Sequence, residues 1–296
     1  MPQITANNIT LEYDEIGNAA DPAFLLISGL GSQLIGWPQE FAENLAAQGF
    51  RVIRFDNRDI GLSQHFDEEG TPDMGQIMAG LKNGQKPVSP YMLDDMAADA
   101  AGLLDALGID KAHIAGMSMG GMIAQLVAAN HPEKCLSMNS IMSTSSRGSL
   151  PPGTPEATAV LTALPEDNSR EGRARHKVKS KLITGSPGHQ APDDVLYDEM
   201  LADIDRSYHP EGQQRQYVAI MASGSRTWLL PKITVPTMVL HGDIDPLVPR
   251  EAGIDTAELI PGSEYVEVEG MGHDIAPGLY DTIMGHMARH AKSHAA

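Results

Sequence analysis

The stretch Ile109 to Gln125, IDKAHIAGMSMGGMIAQ, decides how this chain folds. His113 to Met117 reads as a short buried strand, Ser118 occupies a tight turn, and a helix starts at Met119. At its centre Gly116-Met117-Ser118-Met119-Gly120 is a G-x-S-x-G, a pattern that lifts a serine oxygen above a parallel sheet on a sharp strand-to-helix turn. The glycines answer a physical need. The elbow backbone is strained, and strand and helix approach so closely that a Cβ would clash. Gly121 lets the helix start pack tightly. Chance supplies such a pattern in roughly one chain of this length in ten. The context carries it further: an apolar run precedes it, and helix-spaced Met122, Ile123, Leu126 and Val127 follow.

Outward from the elbow, apolar strands alternate with amphipathic helices. Ile9 to Tyr13 reads as a strand of an N-terminal hairpin, and Ala23 to Ser28 as a strand buried on both faces. A helix begins at Pro38 and carries Phe41, Leu45 and Ala46 to a stop at Gly49. Phe50 to Phe55 is the next strand. A long connection, Asp67 to Pro90, holds a short helix around Gln76 to Leu81. Met92 to Leu107 has helical spacing and ends at Gly108. Beyond the elbow helix come strands at Cys135–Met142, Pro236–His241 and Glu264–Val268, a helix near 250–259, and a last amphipathic helix with Leu279, Ile283, Met284 and Met287. Between Ser143 and Leu230 the strand pattern lapses. Prolines and glycines cluster at 151–155 and 185–192, charges at 166–181, and helices fit near 194–205 and 211–222.

This alternation predicts an α/β fold with a mostly parallel central sheet covered by helices. Residues 1–142 and 231–296 form the core, and 143–230 an inserted α-helical cap. In such sheets function gathers at the carboxyl ends of the strands.

Composition narrows the partners. The chain has 296 residues, 42% of them hydrophobic, and a net charge of −18. It carries no basic stripe, so nucleic acid and anionic membranes are poor partners. Its lone cysteine, Cys135, has no intrachain partner for a disulfide and belongs in the core. No signal peptide and no apolar run of spanning length is visible, so a cytoplasmic protein is expected.

A serine hydroxyl is a poor nucleophile unless a base lies within hydrogen-bond reach and an acid orients that base. The expected chain order is Ser, then Asp or Glu, then His. Two aspartates compete in the loop HGDIDPLVP, 241–249. Asp245 lies deeper, before a stiffening proline, and is the chosen acid. Asp243 is expected to cap the turn through its own backbone. After the last strand, Gly270-Met271-Gly272-His273 places a histidine between glycines, able to swing over the elbow. His286, His290 and His294 fall on the terminal helix or tail and are expected to be solvated. No H-E-x-x-H or Cys/His pairing exists, so neither metal nor cofactor is expected.

The oxyanion of a tetrahedral intermediate needs backbone N–H donors. Met119 supplies one, at a helix N-terminus; the small-residue loop Ser28-Gly29-Leu30-Gly31 supplies the other, from Leu30. Gly29 lets the backbone approach the substrate, Trp37 packs beneath this loop, and these two with Met117 and Met142 are expected to line the substrate pocket. Met117, Met119, Met142 and Met271 read equally as an adaptable apolar pocket or as core. Arg58, in the loop Asp56 to Ser63, is expected to pair with nearby carboxylates and loop carbonyls.

These residues resemble the α/β-hydrolase superfamily, in its branch of bacterial esterases. The resemblance rests on SGLG at 28–31, GWPQEFA at 36–42, DNRDIGLS at 56–63, the elbow, GDIDPLVP at 242–249 and GMGH at 270–273. Within it, GWPQEFA and the DNRD loop look like the aclacinomycin methylesterase group, which demethylates a polyketide methyl ester. The chain departs by carrying Ser28-Gly29 where His-Gly is common, and Asp56-Asn57-Arg58-Asp59 where D-x-R-G is common. The resemblance implies a Ser118–Asp245–His273 triad, an oxyanion hole at Leu30 and Met119, and a carboxylic ester hydrolase acting on small to medium esters. The same triad serves carbon–carbon bond hydrolases and cofactor-free perhydrolases, and a ligand-binding protein can retain it. Turnover over many cycles separates the enzymes from the receptor.

Overall fold

The computed structural model describes residues 2–294. A hairpin of β1 (Gln3–Ala6) and β2 (Ile9–Ile16) opens the chain. Its turn is Asn7-Asn8, both at positive φ (47° and 63°), the left-handed conformation that a tight hairpin demands and asparagine tolerates. There follow β3 (Ala23–Ile27), α1 (Gln39–Ala46), β4 (Arg51–Phe55), α2 (Met74–Lys82), α3 (Leu93–Ala106), β5 (Ala112–Met117), α4 (Met119–Asn130) and β6 (Cys135–Ile141). Four helices come next: α5 (Pro155–Val160), α6 (Arg170–Thr184), α7 (Asp193–Arg206) and α8 (Pro210–Ser223). The sheet then resumes with β7 (Thr237–Gly242), α9 (Arg250–Leu259), β8 (Glu264–Val268) and α10 (Tyr280–Ser293).

The eight strands form one sheet in the order β1-β2-β4-β3-β5-β6-β7-β8. β2 is antiparallel to both β1 and β4, and every other pairing is parallel. Side chains alternate across a strand, so β3 feeds two cores. Leu25 and Ile27 point into a cluster with α3 and α4. Phe24 and Leu26 join Phe41 of α1 and Met287 of α10 on the opposite face. Helices cover both faces, which is why β3 and β5 are buried at every position and read as unbroken apolar runs.

Strand and helix boundaries lie within a few residues of those expected from the pattern, with two helices missed, α5 and α6. The charge run at 166–181 overlaps most of α6, a 15-residue helix. Only Gly172, Ala174 and Thr184 of it are buried, so it offers too narrow an apolar stripe to show helical periodicity. Ala174 packs with Leu196 and Met200 of α7 in a small core of their own. Among the described residues, no helix is long and apolar enough to cross a membrane.

Candidate active site

Ser118 stands between β5 and α4 with φ 55° and ψ −119°, a conformation that costs a non-glycine residue about 1–3 kcal/mol. Its surroundings hold it there. The Ser118 N–H donates to Ile141 O on β6 at 2.9 Å, and Ser118 O accepts from Gly121 N at 2.9 Å. A Cβ on Gly116 would lie 1.9 Å from Gly120 O, and one on Gly120 would lie 2.2 Å from Ile27 O. Both motif glycines are therefore required by space: β5, α4 and the end of β3 touch through their backbones.

Two loops from the far half of the sheet reach this serine. His273 follows β8, and its Nε2 is 2.9 Å from Ser118 Oγ. Its Nδ1 is 2.7 Å from Asp245 Oδ2, on the loop after β7. A carboxylate only accepts, so Nδ1 carries the proton and Nε2 turns a lone pair toward the hydroxyl. Asp245 is fixed in turn, because the N–H groups of Leu247 and Val248 both donate to its Oδ1 at 2.9 Å. Burial pushes the Asp245 pKa upward, but His273 and His241 outweigh it and hold the carboxyl well below the usual range. The three side chains thus form one hydrogen-bond chain able to withdraw a proton from Ser118.

His241, the last but one residue of β7, was not singled out in the sequence. It is fully buried, with Nε2 2.7 Å from Val248 O and 3.5 Å from Asp245 Oδ2. Its place at a strand end, directly before the aspartate loop, was the available signal. Asp243 does not cap its own turn. Its Oδ1 accepts the Gly270 N–H at 2.7 Å and so ties the aspartate loop to the histidine loop.

The loop 28–31 passes over the elbow. A Cβ on Gly29 would lie 3.4 Å from Ser118 Cβ and 3.9 Å from Ser118 Oγ. Among the described residues, neither the Leu30 nor the Met119 N–H is taken by a protein acceptor. Met119 directly follows the serine, and Leu30 directly follows Gly29. Trp37 and Met142, expected at a substrate pocket, are core residues: Trp37 is 0% exposed with its ring 5.6 Å from Phe41, and Met142 is 1% exposed. Each is large and apolar, and the space under the loop is filled by packing. Met117 keeps 8% of its surface.

The DNRD loop is a charge junction. Arg58 grips Asp99 of α3 through two bonds of 2.6 and 2.8 Å. Asp56 accepts from the Leu34 and Leu62 N–H groups and pairs with Arg206 at 2.8 Å. Asp59 pairs with Arg215 of α8. Cys135 is buried, as its setting suggested. His290 is not solvated; it is 3% exposed because the buried stripe of α10 runs on through it.

Among the described residues, one cluster combines metal-type donors: His65, Asp67 and His209. They do not fit a shared ion in this arrangement. The two imidazoles stack 3.9 Å apart at 5°, whereas an ion lies in the plane of each ring it binds. Arg215 Nη2 also sits 3.0 Å from His209 Nε2 and 3.2 Å from Asp67.

The sequence matches the family described as the alpha/beta hydrolase fold over residues 22–277. A rhodomycin D methylesterase, DauP, from Streptomyces sp. (strain C5) is 28% identical over 98% of this chain and 97% of its own. In three dimensions, a thermophilic esterase from Thermogutta terrifontis is similar with a TM-score of 0.69, 24% identity and 99% of both chains covered. A meta-cleavage product hydrolase from Pseudomonas fluorescens IP01 superimposes with a TM-score of 0.74 at 19% identity, over 100% of this chain and 98% of that one.

Proposed function

The chain belongs to the alpha/beta hydrolase family, and from that premise we propose that it is a carboxylic ester hydrolase with Ser118 as nucleophile. The observation that carries this reading is the unbroken chain from Asp245 through His273 to Ser118, at 2.7 and 2.9 Å. His273 takes the Ser118 proton as Oγ attacks the ester carbonyl. Asp245 holds the imidazole tautomer and stabilises the imidazolium. The oxyanion is received by the Leu30 and Met119 N–H groups. His273 then gives its proton to the leaving alcohol, leaving an acyl-enzyme. Water, deprotonated by the same imidazole, releases the acid and restores Ser118.

The 143–230 segment acts as a cap over the strand ends. A methyl ester is the favoured substrate class, supported by the likeness to the Streptomyces methylesterase. Ser118→Ala is expected to abolish multiple-turnover hydrolysis of p-nitrophenyl acetate and butyrate with an unchanged circular dichroism spectrum. Wild-type rates in that variant would overturn the reading. A panel of methyl esters of increasing acid size then tests the substrate class.

A further inference from the structure

We propose that Gln216 and Ser186 are positioning residues, which hold the oxyanion loop and the histidine loop in register with Ser118. The proposal rests on the ester-hydrolase reading above. Both residues belong to the helical segment between β6 and β7, and both are 0% exposed.

Gln216, on α8, reaches down to the 28–31 loop. Its Oε1 accepts the Gly31 N–H at 2.9 Å, directly after Leu30, and its Nε2 donates to Arg58 O at 2.8 Å. The amide is engaged at both ends, so it cannot turn. Asn57 holds the same loop from the other side, donating to Ser28 O at 3.0 Å. Gly31 has φ 64°, a conformation open to many alternatives in glycine. These contacts add to the loop's own Ser32 N–H to Gly29 O bond at 3.2 Å in fixing the residues on either side of Leu30.

Ser186, just past α6, does the same for His273. Its Oγ accepts the Gly272 N–H at 2.8 Å and donates to Asp274 Oδ1 at 2.5 Å. Between these, the His273 N–H donates to Thr184 O at 2.7 Å. Three successive residues of the histidine loop are thus bonded to two of the inserted segment, Thr184 and Ser186. A Cβ on Gly272 would lie 2.2 Å from Gly185 O, so the two backbones touch. The Gly272–Ser186 bond is buried, so water is not at hand to replace it.

A displacement of about 1 Å in a reacting group can cost on the order of 10²-fold in rate. The test uses Gln216→Met and Ser186→Ala in the full-length protein, with Ser118→Ala alongside. On p-nitrophenyl butyrate each positioning variant is expected to lose about 10–100-fold in kcat, with KM within about threefold. Affinity for an aryl trifluoromethyl ketone, which forms an oxyanion on addition of the serine, should fall by the same factor in Gln216→Met. A purely structural role would lower Tm and leave kcat of the folded protein intact. Wild-type kcat in either variant, with Ser118→Ala inactive, overturns the proposal alone; an active Ser118→Ala overturns the ester-hydrolase reading instead.

Discussion

Arg215 and Asp59 meet as a two-pronged ion pair: Nε to Oδ2 and Nη2 to Oδ1, each at 2.7 Å, with both side chains buried. Asp59 stands at φ 73°, in the left-handed region where glycine is favoured, and also accepts from Tyr91 Oη and the Phe66 N–H. The pair joins the loop after β4 to α8. Removing either partner strands a buried charge, at about 3–5 kcal/mol. Asp59→Gly is therefore expected to destabilise the protein by that order although it relieves the backbone. Asp59→Gly combined with Arg215→Met should recover part of the loss. Urea unfolding of wild type, Asp59→Gly, Arg215→Met and the double variant measures this, and an Asp59→Gly variant as stable as wild type would contradict it.

The same pair sets a pH dependence. Burial pushes the Asp59 pKa upward, but the hydrogen bonds from Arg215, Phe66 and Tyr91 outweigh it, so the carboxyl lies below its ordinary value. A carboxyl so held contributes stability that is complete above its unfolded pKa, about 4, and is lost as pH falls through the lower folded value. The stability gap between wild type and Asp59→Asn should thus be flat above about pH 5 and narrow below about pH 4. A gap that widens on acidification would show the opposite sign.

Asp245→Asn separates orientation from structure. The side-chain oxygen can still accept from the Leu247 and Val248 N–H groups, so the loop persists. The new amide would face His273 Nδ1 with a donor, favouring the tautomer whose Nε2 carries the proton and cannot accept one from Ser118. A loss in kcat of about 10⁴-fold is expected, with Tm nearly unchanged. Titration of activity and melting on the same preparation checks both halves.

Most of the sheet was legible because its strands are buried on both faces and so announce themselves as apolar runs. Ser118, Asp245 and His273 were legible for a different reason: each occupies a loop directly after a strand, among glycines or before a proline. What stayed hidden depends on contacts distant in sequence. Gln216 bonds to Gly31 across 185 positions, and Ser186 to Gly272 across 86. No local pattern marks either one. Trp37 was misplaced because large apolar residues beside a site suit a pocket lining and a core equally well, and only packing decides between them.

Two glycines beside the serine should respond differently to the same added methyl group. At Gly116 the Cβ would stand 1.9 Å from Gly120 O and 2.6 Å from Gly121 N, all backbone, so the elbow itself must move. Overpacking of this kind costs about 1–3 kcal/mol or more, and Gly116→Ala is expected to lower Tm and activity together. At Gly29 the nearest atoms would be 3.4 Å away, an ordinary contact, and Ser118 Oγ 3.9 Å. Gly29→Ala should therefore melt like wild type while its methyl group crowds the space beside the nucleophile. An approximately tenfold or greater loss in kcat/KM, about 1.4 kcal/mol of transition-state stabilisation, is expected there. Measuring Tm and kcat/KM for both variants decides the point: if Gly29→Ala lost stability and kept its rate, the loop would not face the reacting ester.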